Sequence, residues 1–128
     1  MKTARLNTLL VSLLLIGPAT AQVASYDCTN AATATEHAIC ASPSLGRKDV
    51  IVATYYDLLL HLKPATGGMA YREFDDQLRG EQQQFLATRN ACGANTNCLE
   101  KRYDDRLEVL RKTADRHAAT VFDRPANP

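Results

Sequence analysis

The sequence predicts an all-α fold, a small disulfide-stapled bundle of three long helices plus one short N-terminal helix. Three stretches of the chain carry apolar residues at spacings of three and four, which is the period of an amphipathic helix. Clusters of proline, glycine and serine separate these stretches. Four cysteines form two closely spaced pairs, and each pair can close a local loop between neighbouring segments.

The amino-terminal residues have the pattern of a secretory signal peptide, which we place at residues 1–21. Lys2 and Arg5 give a charged start, an apolar run follows at residues 9–16, and Ala19-Thr20-Ala21 is a small-x-small cleavage site. The apolar run is shorter than the roughly 20 residues of a membrane span. We therefore expect an exported protein, periplasmic or secreted, that begins at Gln22 and is not inserted in a membrane.

The remaining chain suits one helical domain at residues 22–118, followed by a flexible tail at residues 119–128. Cleavage lowers the 15 basic residues of the whole chain to 13, against 14 acidic residues. Proteins that bind nucleic acid carry a marked excess of Lys and Arg. The charge balance therefore argues against a nucleic-acid partner.

All four cysteines lie in the exported part of the chain, where thiols are expected to oxidise. Of the three possible connectivities, we favour Cys28 with Cys40 and Cys92 with Cys98, because both loops are then short. A zinc site is the competing interpretation, but neither spacing is that of zinc ligands. We expect two disulfides, and neither a metal nor a cofactor.

The short first helix precedes Cys40, with Thr33 or Thr35 available as its cap and Glu36 near its positive end. Ser42-Pro43-Ser44 breaks the chain, and Ser44 can cap the next helix. The second helix is predicted from about Leu45 to Leu62. Its β-branched run at 50–60 would also suit a strand, but length and period favour a helix. Its apolar stripe comprises Leu45, Val52, Ala53, Tyr56, Leu59 and Leu60.

The third helix is predicted from about Met69 to Ala91, with Tyr71, Phe74, Leu78, Phe85 and Leu86 on its apolar stripe. Gln82 and Arg89 lie in line with this stripe. Their stems can cover the edge of the core, or a structural polar network can join Glu81, Arg89 and Asp49. Gly80 interrupts the helix, so that either a partner helix comes close there or a slight bend is tolerated.

The fourth helix is predicted to start near Asn97, which is a plausible cap, with Glu100 completing a capping box. Its apolar stripe is Leu99, Tyr103, Leu107, Leu110 and Ala114. The charged residues from Lys101 to Arg106 are interpreted as a solvated face with weak charge pairs.

The sequence shows no catalytic constellation, and we expect a protein that is not an enzyme. His37, His61 and His117 are isolated from one another, and none has a second histidine at i+3 or i+4. The adjacent aspartates at 75–76 and 104–105 point in different directions on a helix, so they do not form an acid/base pair. No nucleophile elbow, phosphate-binding glycine loop or zinc-protease motif is present.

The cysteines and the polar residues between them resemble the LprI-like lysozyme-inhibitor domain. The family pattern has the forms C-x-x-A-x-x-x-x-E-x-x-I-C, L-x-x-x-D-x-x-L-x-x-x-Y and E-Q-x-x-W-L-x-x-R-x-x-C, with a second cysteine opening the last helix. The matching residues are Asp27, Cys28, Glu36, Ile39, Cys40, Leu45, Asp49, Tyr56, Glu81, Gln82, Phe85, Leu86, Arg89, Cys92, Cys98, Tyr103, Arg106 and Leu107. Phe85 stands where the family usually has tryptophan, and Lys48 where leucine commonly precedes the aspartate.

The resemblance implies a helical, exported domain that inhibits lysozyme. Inhibition would need a protruding loop that fills the lysozyme cleft, and the sequence offers two. The candidate contact residues are His61, Lys63 and Thr66 in the first loop, and Asn95 and Asn97 in the second. The alternative is a cell-envelope interaction module or surface antigen that does not inhibit lysozyme. In either case we expect a protein partner, and a monomer rather than an oligomer.

Overall fold

The computed structural model describes residues 23–62 and 69–122. Four α-helices, with a 3-10 turn at Cys28–Asn30 before them, form the regular structure of these residues, and no strand occurs there. The helices are α1 (Ala34–Ala41), α2 (Pro43–His61), α3 (Met69–Asn90) and α4 (Thr96–Phe122). The all-α prediction is confirmed, and the strand alternative for 50–60 is wrong.

Several predictions concern residues outside this description. They are the signal peptide at 1–21, the loop positions Lys63 and Thr66, and the tail from residue 123 onward. The part of the predicted tail that is described, residues 119–122, continues α4. None of the described helices is long and apolar enough to cross a bilayer.

Local capping sets where α1 and α2 begin. Thr33 caps α1 in a capping box, because its side chain accepts from the N–H of Glu36 while the Glu36 carboxylate accepts from the N–H of Thr33. The cap of α2 is Ser42, whose hydroxyl accepts from Leu45 N, and not Ser44 as predicted. The reason is Pro43, which is suited to the first helical position because its missing N–H has no partner to lose there.

The start of α4 also differs from the prediction. The helix begins at Thr96, and the side chain of Asn95 caps it by accepting from Cys98 N at 3.0 Å. Asn97 therefore lies in the first turn and is not the cap. Glu100 forms no capping box with it, since its carboxylate pairs with Lys48 of α2.

The helix directions follow from the contacts between α2 and α4. Near the start of both helices Tyr103 reaches Asp49, and near their ends His117 bonds to the carbonyl of Leu62. The two helices therefore run in the same direction. A short turn joins α3 to α4, so α3 runs opposite to both.

The apolar stripes predicted from the sequence meet in one core. Tyr103 is its largest fully buried side chain, and the ring of Phe85 contacts it edge-on with centroids 5.4 Å apart. The buried apolar residues are Ala24, Ile39, Leu45, Val52, Leu59, Leu78, Phe85, Leu99, Tyr103, Leu107 and Leu110.

Two glycines on the helices have opposite surroundings. A Cβ built on Gly80 meets nothing within 4 Å, so no partner helix approaches α3 at that point. A Cβ built on Gly46 would lie 1.9 Å from the carbonyl oxygen of Val23. The amino-terminal segment thus crosses α2 in direct backbone contact, which requires glycine at position 46.

Candidate protein-binding turn

The structure contains the two local disulfides, Cys28 with Cys40 and Cys92 with Cys98. The first joins the 3-10 turn to α1. The second closes the connection between α3 and α4, which we call the disulfide turn and define as residues 91–98. Gly93 adopts a φ of 54° in this turn, a left-handed conformation that other residues rarely adopt.

Thr35 ties the disulfide turn to α1. Its side chain is buried, and its hydroxyl lies 3.2 Å from the carbonyl oxygen of Asn90 and 3.1 Å from that of Gly93. A hydroxyl has a single proton, so the two carbonyls share it. The turn is therefore held from the side by a helix that carries the other disulfide.

A buried charge cluster lies beneath the turn and joins Asp49, Arg89, Tyr103 and Ser25. Asp49 Oδ1 accepts from Tyr103 at 2.7 Å and from Arg89 Nη1 at 3.4 Å. Asp49 Oδ2 accepts from the backbone N–H of Ser25 at 2.8 Å and from its hydroxyl at 2.6 Å. Arg89 also donates to the Tyr103 oxygen at 3.2 Å. Both carboxylate oxygens are thus fully used, as a buried charge requires.

Arg89 connects this cluster to the disulfide turn. The Nε and Nη2 atoms of its guanidinium donate to the side-chain oxygen of Asn90, at 3.1 and 3.0 Å. One planar side chain therefore contacts both the buried carboxylate of Asp49 and the last residue of α3. The end of α3 is consequently fixed against α2 and α4 before the turn begins.

The tyrosines around Asp49 remain protonated at neutral pH. Burial, and then the negative charge of Asp49, raises the pKa of Tyr26 to about 12. The same two causes raise the pKa of Tyr103 further above its ordinary value. Both hydroxyls therefore act as stable donors, Tyr26 to the carbonyl of Glu36 and Tyr103 to Asp49.

The predicted polar network is divided between two clusters in the structure. Asp49 and Arg89 pair as described, but Glu81 contacts Arg106 instead, with Oε2 at 3.2 Å from Nη1. Gln82 Oε1 accepts from Nε and Nη2 of the same guanidinium, at 3.3 and 3.1 Å. The prediction that joined Glu81 to Arg89 is wrong, because the two side chains lie eight residues apart on α3 and face different partners.

Arg106 was also misplaced by the sequence interpretation, which put it on the solvated face of α4. It is buried, with 6% of its surface exposed. The signal was present in its position, three residues after Tyr103 and four before Leu110, which places it on the core stripe. The other charges of this face do lie outside, and Lys101 with Asp105 forms one of the expected i,i+4 pairs.

The outer surface of the disulfide turn is exposed and uncharged. Ala94, Asn95, Thr96 and Asn97 are all exposed. No Lys, Arg, Asp or Glu occurs between positions 90 and 99. Of the two predicted contact residues here, Asn95 is committed to capping α4, so Asn97 and Thr96 provide the outward polar side chains.

His61 is the predicted contact residue of the first loop that lies among the described residues, and it is not at this site. His61, at the end of α2, is exposed and lies within 3.3 Å of Asp57 on the same helix. Asp49 belongs to the buried charge cluster beneath the turn. The distance along the helix from Asp49 to Leu62 is about 20 Å. His61 and Asn97 therefore lie towards opposite ends of the molecule and cannot form one compact contact.

The three histidines have separate surroundings, as the sequence indicated. His117 is buried and stacks on Phe74 with ring centroids 4.8 Å apart, whereas His37 and His61 are exposed. Among the described residues, no group of three His, Cys, Asp or Glu side chains is placed to hold a metal ion. The candidate site that the described residues do form is the rigid, uncharged disulfide turn.

Comparison with known proteins adds no relative. A scan against protein-family models, a search of curated proteins and a search of solved structures each found no match to this chain. The resemblance to the LprI-like domain therefore depends on the sequence motifs alone. Any functional assignment has to be argued from the geometry of the disulfide turn.

Proposed function

We propose that the protein is an exported, non-enzymatic binding protein that inhibits lysozyme by inserting its disulfide turn into the active-site cleft. On this proposal the three long helices and α1 act as a stapled bundle whose task is to hold the turn. The observation that carries the proposal is the fixation of the turn on three sides. The Cys92–Cys98 bond closes it, Thr35 donates to the carbonyl of Gly93 within it, and Arg89 anchors Asn90, the residue directly before it.

This rigidity favours binding because an already ordered turn loses little conformational entropy when it meets a partner. Lysozyme cleaves glycan with two carboxyl groups that lie in a cleft. The turn would offer these acids uncharged donors, namely the Asn97 amide and the Thr96 hydroxyl. The first N–H groups of α4 lie beside them, at the positive end of the helix dipole.

One observation favours a second candidate, a cell-envelope interaction module that binds another protein. The turn carries no Lys or Arg, although a cation would interact favourably with a cleft that contains two acids. A partner with an uncharged polar surface would match the turn equally well. The two candidates share the same contact residues and differ only in the partner.

A cell-wall lysis assay separates these candidates. The oxidised, exported protein is added to lysozyme at increasing molar ratio, and we expect lysis to slow in proportion to the protein bound. Combining Thr96→Ala with Asn97→Ala should weaken inhibition about tenfold, since two interface hydrogen bonds are lost at about 0.7 kcal/mol each. Gln83→Ala, an exposed amide on α3, is the matched control and should inhibit like the parent. Undiminished lysis at a several-fold excess of the parent protein would rule out lysozyme inhibition.

A second variant tests the role of the staple. Replacing Cys92 and Cys98 together by serine opens the turn and removes roughly 2 kcal/mol of stability in the chain-entropy model. We expect the double variant to keep its helicity by circular dichroism but to inhibit more weakly, because the turn must then be ordered on binding. Equal inhibition by both forms would show that the contact lies elsewhere.

A further inference from the structure

A second surface with the features of an interface lies on α2, on the side of the helix turned away from the core. Leu45, Val52 and Leu59 form the buried stripe of this helix. Val50, Ile51 and Leu58 lie on the opposite side and expose 38%, 37% and 48% of their surfaces. We call these three residues, together with Pro43, Arg47, Thr54, Asp57 and the adjacent Val23, the outer face of α2.

The outer face of α2 is more apolar than the rest of the surface that the described residues form. Of the five large apolar residues that are exposed among the described residues, four belong to the outer face of α2, and the fifth is Val109. Two shallow depressions adjoin each other here and share Val50 as a wall. A contiguous exposed apolar strip of this kind marks an interaction surface more often than single exposed residues do.

The charges on the outer face are arranged symmetrically. Arg47 lines one depression and Asp57 lines the other, so that a cation and an anion lie on either side of the apolar centre. They are equally far in sequence from Val52, the middle residue of α2. A half-turn that makes two such helices antiparallel about this midpoint brings Arg47 of one helix to the same height as Asp57 of the other.

A second copy of this chain therefore fits the face. In an antiparallel pair, Arg47 of each copy meets Asp57 of the other, Val50 meets Thr54, and the two Ile51 side chains meet beside the symmetry axis. A parallel pair would bring Arg47 against Arg47 and Asp57 against Asp57, which repel. The face is thus self-complementary in one orientation only, as a two-fold interface requires.

We propose that the outer face of α2 is a homodimer interface in which two copies pack antiparallel. The outer face of α2 is as long as the helix, about 28 Å, and roughly one helix wide. It therefore buries much less surface than a standard interface, which buries about 800 Å² per partner. The dimer is therefore weak and forms at high local concentration. Its two disulfide turns lie towards opposite ends and are both free to bind, which gives a bivalent particle.

Sedimentation velocity of the oxidised protein tests this proposal at concentrations from about 10 µM to about 1 mM, the range suited to so small an interface. We expect a monomer at the low end and a reversible shift toward dimer at the high end. Arg47→Asp alone and Asp57→Arg alone should each raise the dissociation constant about tenfold, because each places like charges in contact twice. The protein that carries both changes restores both opposite-charge contacts and should dimerise like the parent.

The matched control is Arg79→Asp, a charge reversal on the exposed surface of α3, which should leave the dissociation constant unchanged. Circular dichroism checks that each variant is folded, which we expect because the substitutions are at exposed positions. A protein that stays monomeric at about 1 mM would overturn the proposal. So would a doubly substituted protein no better at dimerising than the single variants, or an Arg79→Asp effect of equal size.

Discussion

The buried charge cluster gives a direct test of how the disulfide turn is supported, through the substitution Asp49→Asn. The asparagine side chain has the same shape as aspartate but replaces one carboxylate oxygen by an NH2 group. Whichever way it turns, that NH2 group faces donors, either Ser25 or the pair formed by Arg89 and Tyr103. The guanidinium of Arg89 is then left in the interior without a compensating charge.

The expected loss of stability follows from this geometry. Removing one partner of a buried ion pair costs about 3–5 kcal/mol. Asparagine keeps one acceptor oxygen, so we expect a value near the lower bound, about 3 kcal/mol. A domain of this size unfolds with a total free energy of about 5–15 kcal/mol, and each kcal/mol corresponds to about 4–8 °C in the melting temperature. Asp49→Asn should therefore lower the melting temperature by about 15 °C.

The measurement is thermal and urea unfolding of the oxidised protein, followed by circular dichroism at 222 nm, the standard helix signal. Asp57→Asn is the matched control, because Asp57 is an exposed aspartate on the same helix, and it should change stability by less than about 0.5 kcal/mol. Adding Arg89→Met to Asp49→Asn should recover part of the loss, since no unpaired charge then remains buried. An Asp49→Asn variant within about 1 kcal/mol of the parent would show that the buried pair does not stabilise the fold.

Three further outcomes follow from the structure. Gly80→Ala should raise the free energy of unfolding by up to about 1 kcal/mol, because its Cβ enters open space on a helix; a loss of stability in urea unfolding would contradict this. Gly46→Ala should instead destabilise the protein and release the segment around Val23, since the two would collide, and faster proteolysis near residue 23 would report it. Stability should fall as the pH rises from about 10 to about 12, because the unfolded chain loses the Tyr26 proton near its ordinary pKa of 10.0 while the folded chain keeps it to about 12. Tyr26→Phe should flatten this fall in urea titrations at several pH values, and Tyr103→Phe should also do so because the pKa of Tyr103 is raised as well.

The candidate site was only partly predictable from the sequence. Cys92 and Cys98 identified the turn, because a short loop between two helical patterns leaves few alternatives for their pairing. Asn95 and Asn97 were both chosen as contact residues for their chemistry, but capping had already engaged Asn95. Which of two nearby polar residues caps a helix depends on where the preceding turn ends, and this is decided by backbone hydrogen bonds that the residue types do not reveal.

The partners of the buried charged side chains could not be predicted from the sequence, for a related reason. Apolar burial is not directional, so the period of three and four was enough to identify Leu99, Tyr103 and Leu110 as core residues. A hydrogen bond is directional and requires two atoms within about 3 Å. Arg89 and Arg106 both lie on core stripes, yet nothing in the spacing shows which carboxylate each one reaches.

The sequence by itself determined that the described chain is helical, roughly where each helix lies, and which cysteines are close enough to join. These properties depend on interactions between residues a few positions apart. Only the tertiary structure decided that α2 runs parallel to α4, that Glu81 pairs with Arg106, and that His61 lies away from the disulfide turn. These outcomes depend on which helix faces meet. Several arrangements of the helices bury the same apolar stripes, so apolar burial does not choose between them. The directional hydrogen bonds and ion pairs do, because only one arrangement satisfies them.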